Sequence, residues 1–505
     1  MARRQEAAGG ATPAQLWVLA LASLASFMVI LDMLVVATAL TAIRRHLGAS
    51  LADLEWTVNA YTLSFAVLLM TAAALGDRLG RRRVFAAGLA IFATASVACA
   101  LATSTGALIA ARAVQGAGAA AIMPTALALL NGAFPPARRG WAIGMYGSVT
   151  GLAAVLGPVL GGAVTQGLGW QWIFWLNVPI ACGAIPLALA RVAEAKGPAG
   201  ALDLAGLALV TAAALGLTWG LVRGNSVGWT SPETAIAFAA GVVAATGFVG
   251  WERRAAAPML PARLFRSPAF SAGNGVIFLL NASLTGAVFL MPQFQQVVDA
   301  ASPLTAGLRL LPWGIAPFLL APRAGALADR IGERVLAVTG LLLQAAGLAW
   351  IAAVAGPGVG YPALIAPMTI VGAGFGLAIP AVTRSVTSNV QPADIGRASG
   401  AYSMMRQLGG AFGVAILGAA FSAAGGYSSP GAFSDGFRVA FGVAAGMTLA
   451  AVAAGAILPG RHPTAASAPA GAAAPAGAAA SAPAGAAPAG SAPAEAAPAE
   501  VSETA

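Results

Sequence analysis

The chain alternates long apolar runs with short breaks that are charged or rich in glycine and proline. The runs are continuous, as a membrane helix requires, where the strands of a barrel would alternate in polarity. Fourteen are long enough to cross a bilayer, near 15–40, 55–75, 84–103, 106–131, 141–165, 172–191, 203–222, 234–251, 269–291, 304–322, 335–355, 361–383, 400–422 and 437–458. The first contains Asp32 and lacks a small-residue cleavage pattern behind a short core, so it reads as a span and not a signal peptide. From Gly460 the chain becomes an Ala/Pro/Gly tract ending in Glu495, Glu500 and Glu503. Recurrent proline prevents a helix there and nothing bulky can be buried, which predicts a disordered tail despite its hydropathy.

Composition removes the soluble alternatives. Of 505 residues, 59% are hydrophobic and 9% charged, too few charges to surface a globular particle of that size. The excess of basic residues, a formal +10, raises the question of nucleic acid, and the placement of the arginines answers it. With a cytoplasmic N-terminus, twenty basic residues fall in inner segments and five (Arg44, Arg45, Arg223, Arg309 and Arg438) in outer ones, which leaves Arg112 and Arg406 within spans. This positive-inside bias closes with an even number of spans and a cytoplasmic C-terminus, so the charge is topological. Cys99 and Cys182 lie in apolar runs without metal-ligand spacing, and two histidines, His46 and His462, supply neither a metal site nor a hydrolytic triad.

The break after the second span reads Ala73-Ala-Leu-Gly-Asp77-Arg78-Leu-Gly80-Arg81-Arg82-Arg83, and the break after the tenth reads Gly325-Ala-Leu-Ala-Asp329-Arg330-Ile-Gly332-Glu333-Arg334. The aspartates stand 252 residues apart, so a six-span unit occurs twice with two spans inserted between the copies. The expected architecture is an all-α polytopic membrane protein. A cytoplasmic N-terminus (1–14) precedes a six-helix bundle (15–191), two inserted helices with linkers (192–268), a second six-helix bundle (269–458) and the tail (459–505).

The first of these breaks resembles the signature G-x-L-x-D-R-x-G-R-R of the major facilitator superfamily, with Ala73 where the first glycine is expected. Other stretches resemble its fourteen-span drug:proton antiporter branch. They are Leu31-Asp32 through Ala39-Leu40, Arg112-Ala-Val-Gln115-Gly116-Ala-Gly118, Gly147-x3-Gly151-x5-Gly157-Pro158-x2-Gly161-Gly162, Trp170-Gln-Trp172-Ile-Phe174-Trp-Leu-Asn177-Val-Pro179, and Ser302-Pro303-x3-Gly307. The resemblance covers about residues 15–458. It implies two bundles that rock about a central site, a proton-coupling role for Arg112, and a gating role for the glycines of the fifth span. The tenth span lacks the acidic residue with which some members take divalent cations.

Asp32 is the one acid expected deep in the membrane, where a carboxylate must bind a proton or meet a cation. It lies roughly 12 Å from the outer end of its span and Arg112 roughly 9 Å from the same side, at 1.5 Å per residue, so the two are natural partners, with Gln115 one turn further. Glycines 147/151 and 157/161 are i, i+4 pairs that expose backbone for close packing, and Pro158 removes a helix hydrogen bond. Asp77, Arg78, Arg81, Asp329 and Arg330 sit at helix ends where ion pairs can form and break as bundles rock, with Gly80 and Gly332 for the turns. Substrate contacts are expected from Trp56, Asn59, Tyr61, Phe278, Asn281, Phe289, Gln293, Trp313 and Phe375, which suit an amphipathic, aromatic or cationic compound. Arg406 is expected to snorkel to the inner surface.

Together these readings predict a proton-coupled exporter of drugs or amphipathic metabolites in the cytoplasmic membrane, driven by the proton gradient, with no metal, organic cofactor, nucleic acid or obligate protein partner. Uptake or facilitated diffusion of a small solute on the same fold is the alternative. A membrane sensor lacks an output domain here, and a membrane-embedded enzyme lacks paired carboxylates or a metal motif.

Overall fold

The Thr12 hydroxyl accepts a hydrogen bond from the amide of Gln15 while the Gln15 side-chain oxygen accepts one from the amide of Thr12, and Pro13 sits in the first turn, so the first helix starts where its end groups can be satisfied. In this computed structural model, which describes residues 11–197, 202–388, 390–391 and 394–459 apart from the side chains of Ala137, Pro322, Gly325, Ala326 and Asp329, such caps recur along the chain. Ser50, Ser104, Ser231, Ser267, Ser302 and Ser429 each begin a helix by accepting from a backbone amide three residues on. The first ten residues, the Ala/Pro/Gly tail and the Asp329 side chain lie outside the described residues.

Fourteen helical segments among the described residues are long and apolar enough to cross a membrane. They are α1 (Pro13–Leu47), α2 (Leu51–Leu79), α3 (Arg81–Ala100), α4 (Thr105–Ala133), α5 (Pro136–Gly167), α6 (Trp172–Arg191, interrupted at Leu176), α7 (Leu204–Val227) and α8 (Pro232–Glu252). After a short 3₁₀ turn, Leu264–Arg266, follow α9 (Pro268–Val297), α10 (Pro303–Arg309 continued by Leu311–Ile331), α11 (Glu333–Val354), α12 (Pro362–Ser388), α13 (Ile395–Ala424) and α14 (Pro430–Gly455). Each coincides with one expected span, and most extend several residues beyond it. The extensions come from polar cap residues, which hydropathy alone assigns to loops.

The chain is folded on close helix pairs. α4 packs on α2 and α3, α1 on α5, and α3 on α6; among the last six helices, α12 packs on α11 and α10, and α9 on α13 and α14. Without a hydrophobic drive between helices in lipid, small residues make such contacts. Gly118 of α4 lies against the backbone of Gly88 and Phe92, and Gly340 of α11 lies so close to α12 that an added Cβ would stand 2.6 Å from the Gly374 carbonyl oxygen. Gly88 and Gly340 are again 252 residues apart. The turn glycines Gly80 and Gly332 also match, with φ of 116° and 93°. The repeat is therefore present in backbone conformation as well as in sequence. α7 and α8 pack on each other, and α7 lies against α2 and α13.

A valine at Gly340 should wedge α11 from α12 and cost about 1–3 kcal/mol. The expected result is a lower thermal unfolding midpoint of the purified protein in detergent, with no change for Gly446→Val, whose added atoms meet nothing within 4 Å.

Candidate functional site

Asp32 is 0% exposed, and helices α1, α3, α4 and α6 close around it. Arg112 Nη1 donates to Asp32 Oδ2 at 2.5 Å and to Gln115 Oε1 at 2.7 Å, and its Nε donates to the Thr57 carbonyl at 3.2 Å. Gln115 Nε2 donates to Asp32 Oδ1 at 2.8 Å and to Ser96 Oγ at 2.9 Å, while Asn177 Nδ2 donates to Asp32 Oδ1 at 2.7 Å. The Tyr61 ring lies 4.1 Å from the Arg112 guanidinium carbon and supplies a cation–π contact. Both oxygens of the carboxylate are thus engaged, and a buried charge pair is tolerable only with such additional hydrogen bonds.

The local sequence explains this geometry. Gly116 lets α4 rest on the Tyr61 carbonyl and Ser64, and Gly118 lets it rest on α3, so Arg112 and Gln115, one turn apart, both point at Asp32. Asn177 lies near the start of α6, where its side chain enters the cluster. Sequence reasoning named Asp32, Arg112 and Gln115. It missed Asn177, Ser96 and Thr57, although Asn177 stood within the quoted Trp170–Pro179 motif.

The expected substrate residues divide. Tyr61 belongs to the Asp32 cluster, and its hydroxyl donates to the Val29 carbonyl at 3.2 Å. Trp56 turns sideways toward α7, where its ring is 5.5 Å from that of Trp219, and both line a largely apolar cavity of about 830 Å³ between α2, α4 and α7. Phe289 and Gln293 are buried near Tyr427; Gln293 donates to the Phe289 carbonyl and accepts from the Tyr427 hydroxyl. Burial pushes the Tyr427 phenol above its ordinary range, with Arg44 pulling it down, so it remains a donor. Trp313 is buried in the packing of α10 on α12. Asn59 is fully buried, and neither of its amide atoms has a partner among the described residues. Phe278, Asn281 and Phe375 lie among the last six helices.

One expectation needs correction. Glu55, read as the edge of the second span, is inside α2 and 3% exposed against Gly418 of α13, so Asp32 is not the only buried acid. Arg406 lies roughly 16 Å from the start of α13 at Ile395; the residue is partly exposed, and its Nε is buried without a partner among the described residues.

At the end of the bundle opposite the Asp77 break, the first six helices meet the last six. Gly157 and Gly161 pack on Leu34 and Val35 of α1, Gly162 faces the Pro303 and Leu304 backbone of α10, and Gly307 faces the Pro158 carbonyl. Gly147 has no such neighbour and Gly151 only Phe318 at 3.9 Å, so the close-packing face is the second half of the motif and not its whole length. Gln296 Nε2 donates to the Thr38 carbonyl at 3.0 Å, and Arg44 lies 4.0 Å over the Tyr427 ring. α5 remains helical through Pro158.

At the Asp77 break, Arg81 pairs with Asp77 at 2.7 Å, and Glu194 caps the turn by accepting from the Arg82 amide at 3.0 Å. The Gly197 amide donates to the Asp77 carbonyl. These contacts join the loop to the segment after α6, within the first six helices; Arg78 and Arg330 are exposed. Glu194 was not singled out because a lone glutamate between helices carries no sequence signal.

The chain matches the Major Facilitator Superfamily over residues 22–414 and 272–496. It is 35% identical over 444 residues to the tetracenomycin C resistance and export protein of Streptomyces glaucescens, covering 86% of this chain and 82% of that one. It is 38% identical to the cephamycin export protein of Amycolatopsis lactamdurans (79% and 83% covered) and 34% identical to the methylenomycin A resistance protein of Streptomyces coelicolor (77% and 82%). Among solved structures it resembles a bacterial homologue of the human lysosomal transporter Spinster in an inward-facing, occupied conformation (TM-score 0.64, 18% identity, 88% and 97% covered). It also resembles a peptide transporter of the POT family (TM-score 0.66, 14% identity, 86% and 94% covered). With these matches spanning most of its length, the chain belongs to the Major Facilitator Superfamily as a multi-pass membrane transporter.

Proposed function

We propose that the protein is a proton-coupled antiporter of the cytoplasmic membrane, with both termini inside, that exports small amphipathic organic compounds by alternating access of two six-helix halves. The observation that carries this reading is Asp32, a fully buried carboxylate held by Arg112, Gln115 and Asn177. The resistance and export proteins to which the chain is similar support the direction of transport.

The geometry supplies a route from proton to conformation. Asp32 precedes by two to six residues the positions on α1 (Leu34, Val35, Thr38) against which Gly157 and Gly161 of α5 are seated. A proton on Asp32 removes its attraction to Arg112, which keeps the Thr57 carbonyl, Gln115 and the Tyr61 ring as partners. α1 is then released from α4 and free to shift with α5, the helix that closes the seam on α10. A proton entering from outside also draws on the membrane potential, about 2.3 kcal/mol per charge per 100 mV.

Asp32→Asn in the full-length protein should abolish efflux driven by a pH gradient in sealed vesicles while substrate binding persists; undiminished gradient-driven efflux would overturn the proton-carrier role. Asn177→Leu should remove one donor to the buried carboxylate at a cost of about 1–3 kcal/mol. That loss is read as a lower thermal unfolding midpoint, and an unchanged midpoint would show that Asn177 does not hold the cluster.

A further inference from the structure

Arg406 is a cation near the middle of α13, a helix of 30 residues. It lies roughly 16 Å from the helix start and is partly exposed. Its side chain makes no hydrogen bond or ion pair among the described residues, and its Nε is buried without a partner. The backbone is fixed by Asn281 Nδ2, which donates to the Arg406 carbonyl at 2.7 Å. α13 packs on α2 as well as on α9, with Gly400 against Met70, and the guanidinium lies within electrostatic reach of Tyr402 on its own helix and of Tyr146 on α5, which sets it at the junction between the first six helices and the last six.

No described acid pairs with Arg406. Asp32 is taken by Arg112, Asp77 by Arg81 and Asp394 by Arg263. Asp299 pairs with Arg309 beyond the end of α9, and Glu55 is packed against Gly418 at the far end of α13. A charge on a membrane-spanning helix that no acid compensates marks a functional site, and its missing partner defines the ligand. Phe412, roughly 9 Å further along α13, pairs with Phe278 at 5.7 Å between ring centroids, both half-buried, which supplies an aromatic surface on the same helix. Tyr146 and Tyr402 add hydroxyls, bonded at present to Ser26 and Thr383.

From this placement we propose that Arg406 is the anchor of the substrate site and that the transported compounds are amphipathic organic acids, a carboxylate or acidic phenol on a flat apolar body, and not the cations that the aromatic content alone would suit. The acidic group takes the guanidinium as a charge-assisted, bidentate partner, and the apolar body lies toward Phe278 and Phe412. A second cation beside Arg406 would be repelled in the same low-dielectric setting. This rests on the exporter reading above and narrows its substrate class.

The test uses full-length protein in lipid nanodiscs at neutral pH and three probes of one shape: 2-naphthoate, methyl 2-naphthoate and 2-naphthylmethylammonium. The wild type is expected to bind the acid about tenfold more tightly than the ester, and the cation most weakly. Arg406→Gln should erase the preference of acid over ester, and Arg406→Lys should keep most of it. The ratio within each variant is insensitive to the fraction of folded protein, and the thermal midpoint is read alongside. Cation binding equal to that of the acid, equal loss of all three probes in Arg406→Gln, or no saturable binding by any probe overturns the proposal. Gradient-driven efflux, which depends on Asp32, is measured separately, so a wrong substrate class is distinguishable from a wrong transport class.

Discussion

The fold is organised around a charge pair that no lipid would accept alone. Asp32 and Arg112 are 0% and 1% exposed, and removing one member of such a pair leaves a buried charge at a cost of about 3–5 kcal/mol. That penalty dictates what surrounds them. Gln115, Asn177 and Ser96 complete the hydrogen bonding, Thr57 gives a carbonyl and Tyr61 a ring face, and the helices that carry these residues are thereby drawn together. The glycines at 116 and 118 are the other half of the arrangement, since they allow α4 to come near enough for Arg112 to reach.

Much of this was legible because bilayer physics writes itself in one dimension. Span number follows from hydropathy, and the duplication from one repeated aspartate-arginine-glycine pattern. The pairing of Asp32 with Arg112 follows from similar depth, since two charges in hydrocarbon have few places to go. Asn177 was harder, because an uncharged amide in a motif does not announce its neighbour. Glu55 was misplaced because a polar cap at Ser50 extends α2 to Leu51, beyond its hydrophobic window, so the residue lies within the helix and packs on α13. Trp56 shows the remaining limit, since which side of α2 faces α7 depends on how the inserted helices dock.

The repeat offers a further comparison. Gly88 and Gly340 support the same kind of close contact in the two copies, and Gly80 and Gly332 the same turn, but the charges differ. The first copy holds a paired acid and base in its interior. The second has an arginine without an ion-pair partner on α13 and, in the equivalent interior of α9, α11 and α14, the uncharged network of Gln344, Ser283 and Thr448. Duplication preserved the packing code and left the polar interior free to diverge.

The closed end of the seam carries polar atoms that its packing leaves unsatisfied. Glu55 Oε2 and both amide atoms of Asn59 are buried on α2 without partners among the described residues. Each such atom is a penalty of about 1–3 kcal/mol in the closed arrangement that water would relieve on opening. The close glycine contacts between α5 and α10 act in the opposite sense. The seam thus carries contributions of both signs, and a proton or ligand shifts it only by as much as it favours one arrangement over the other.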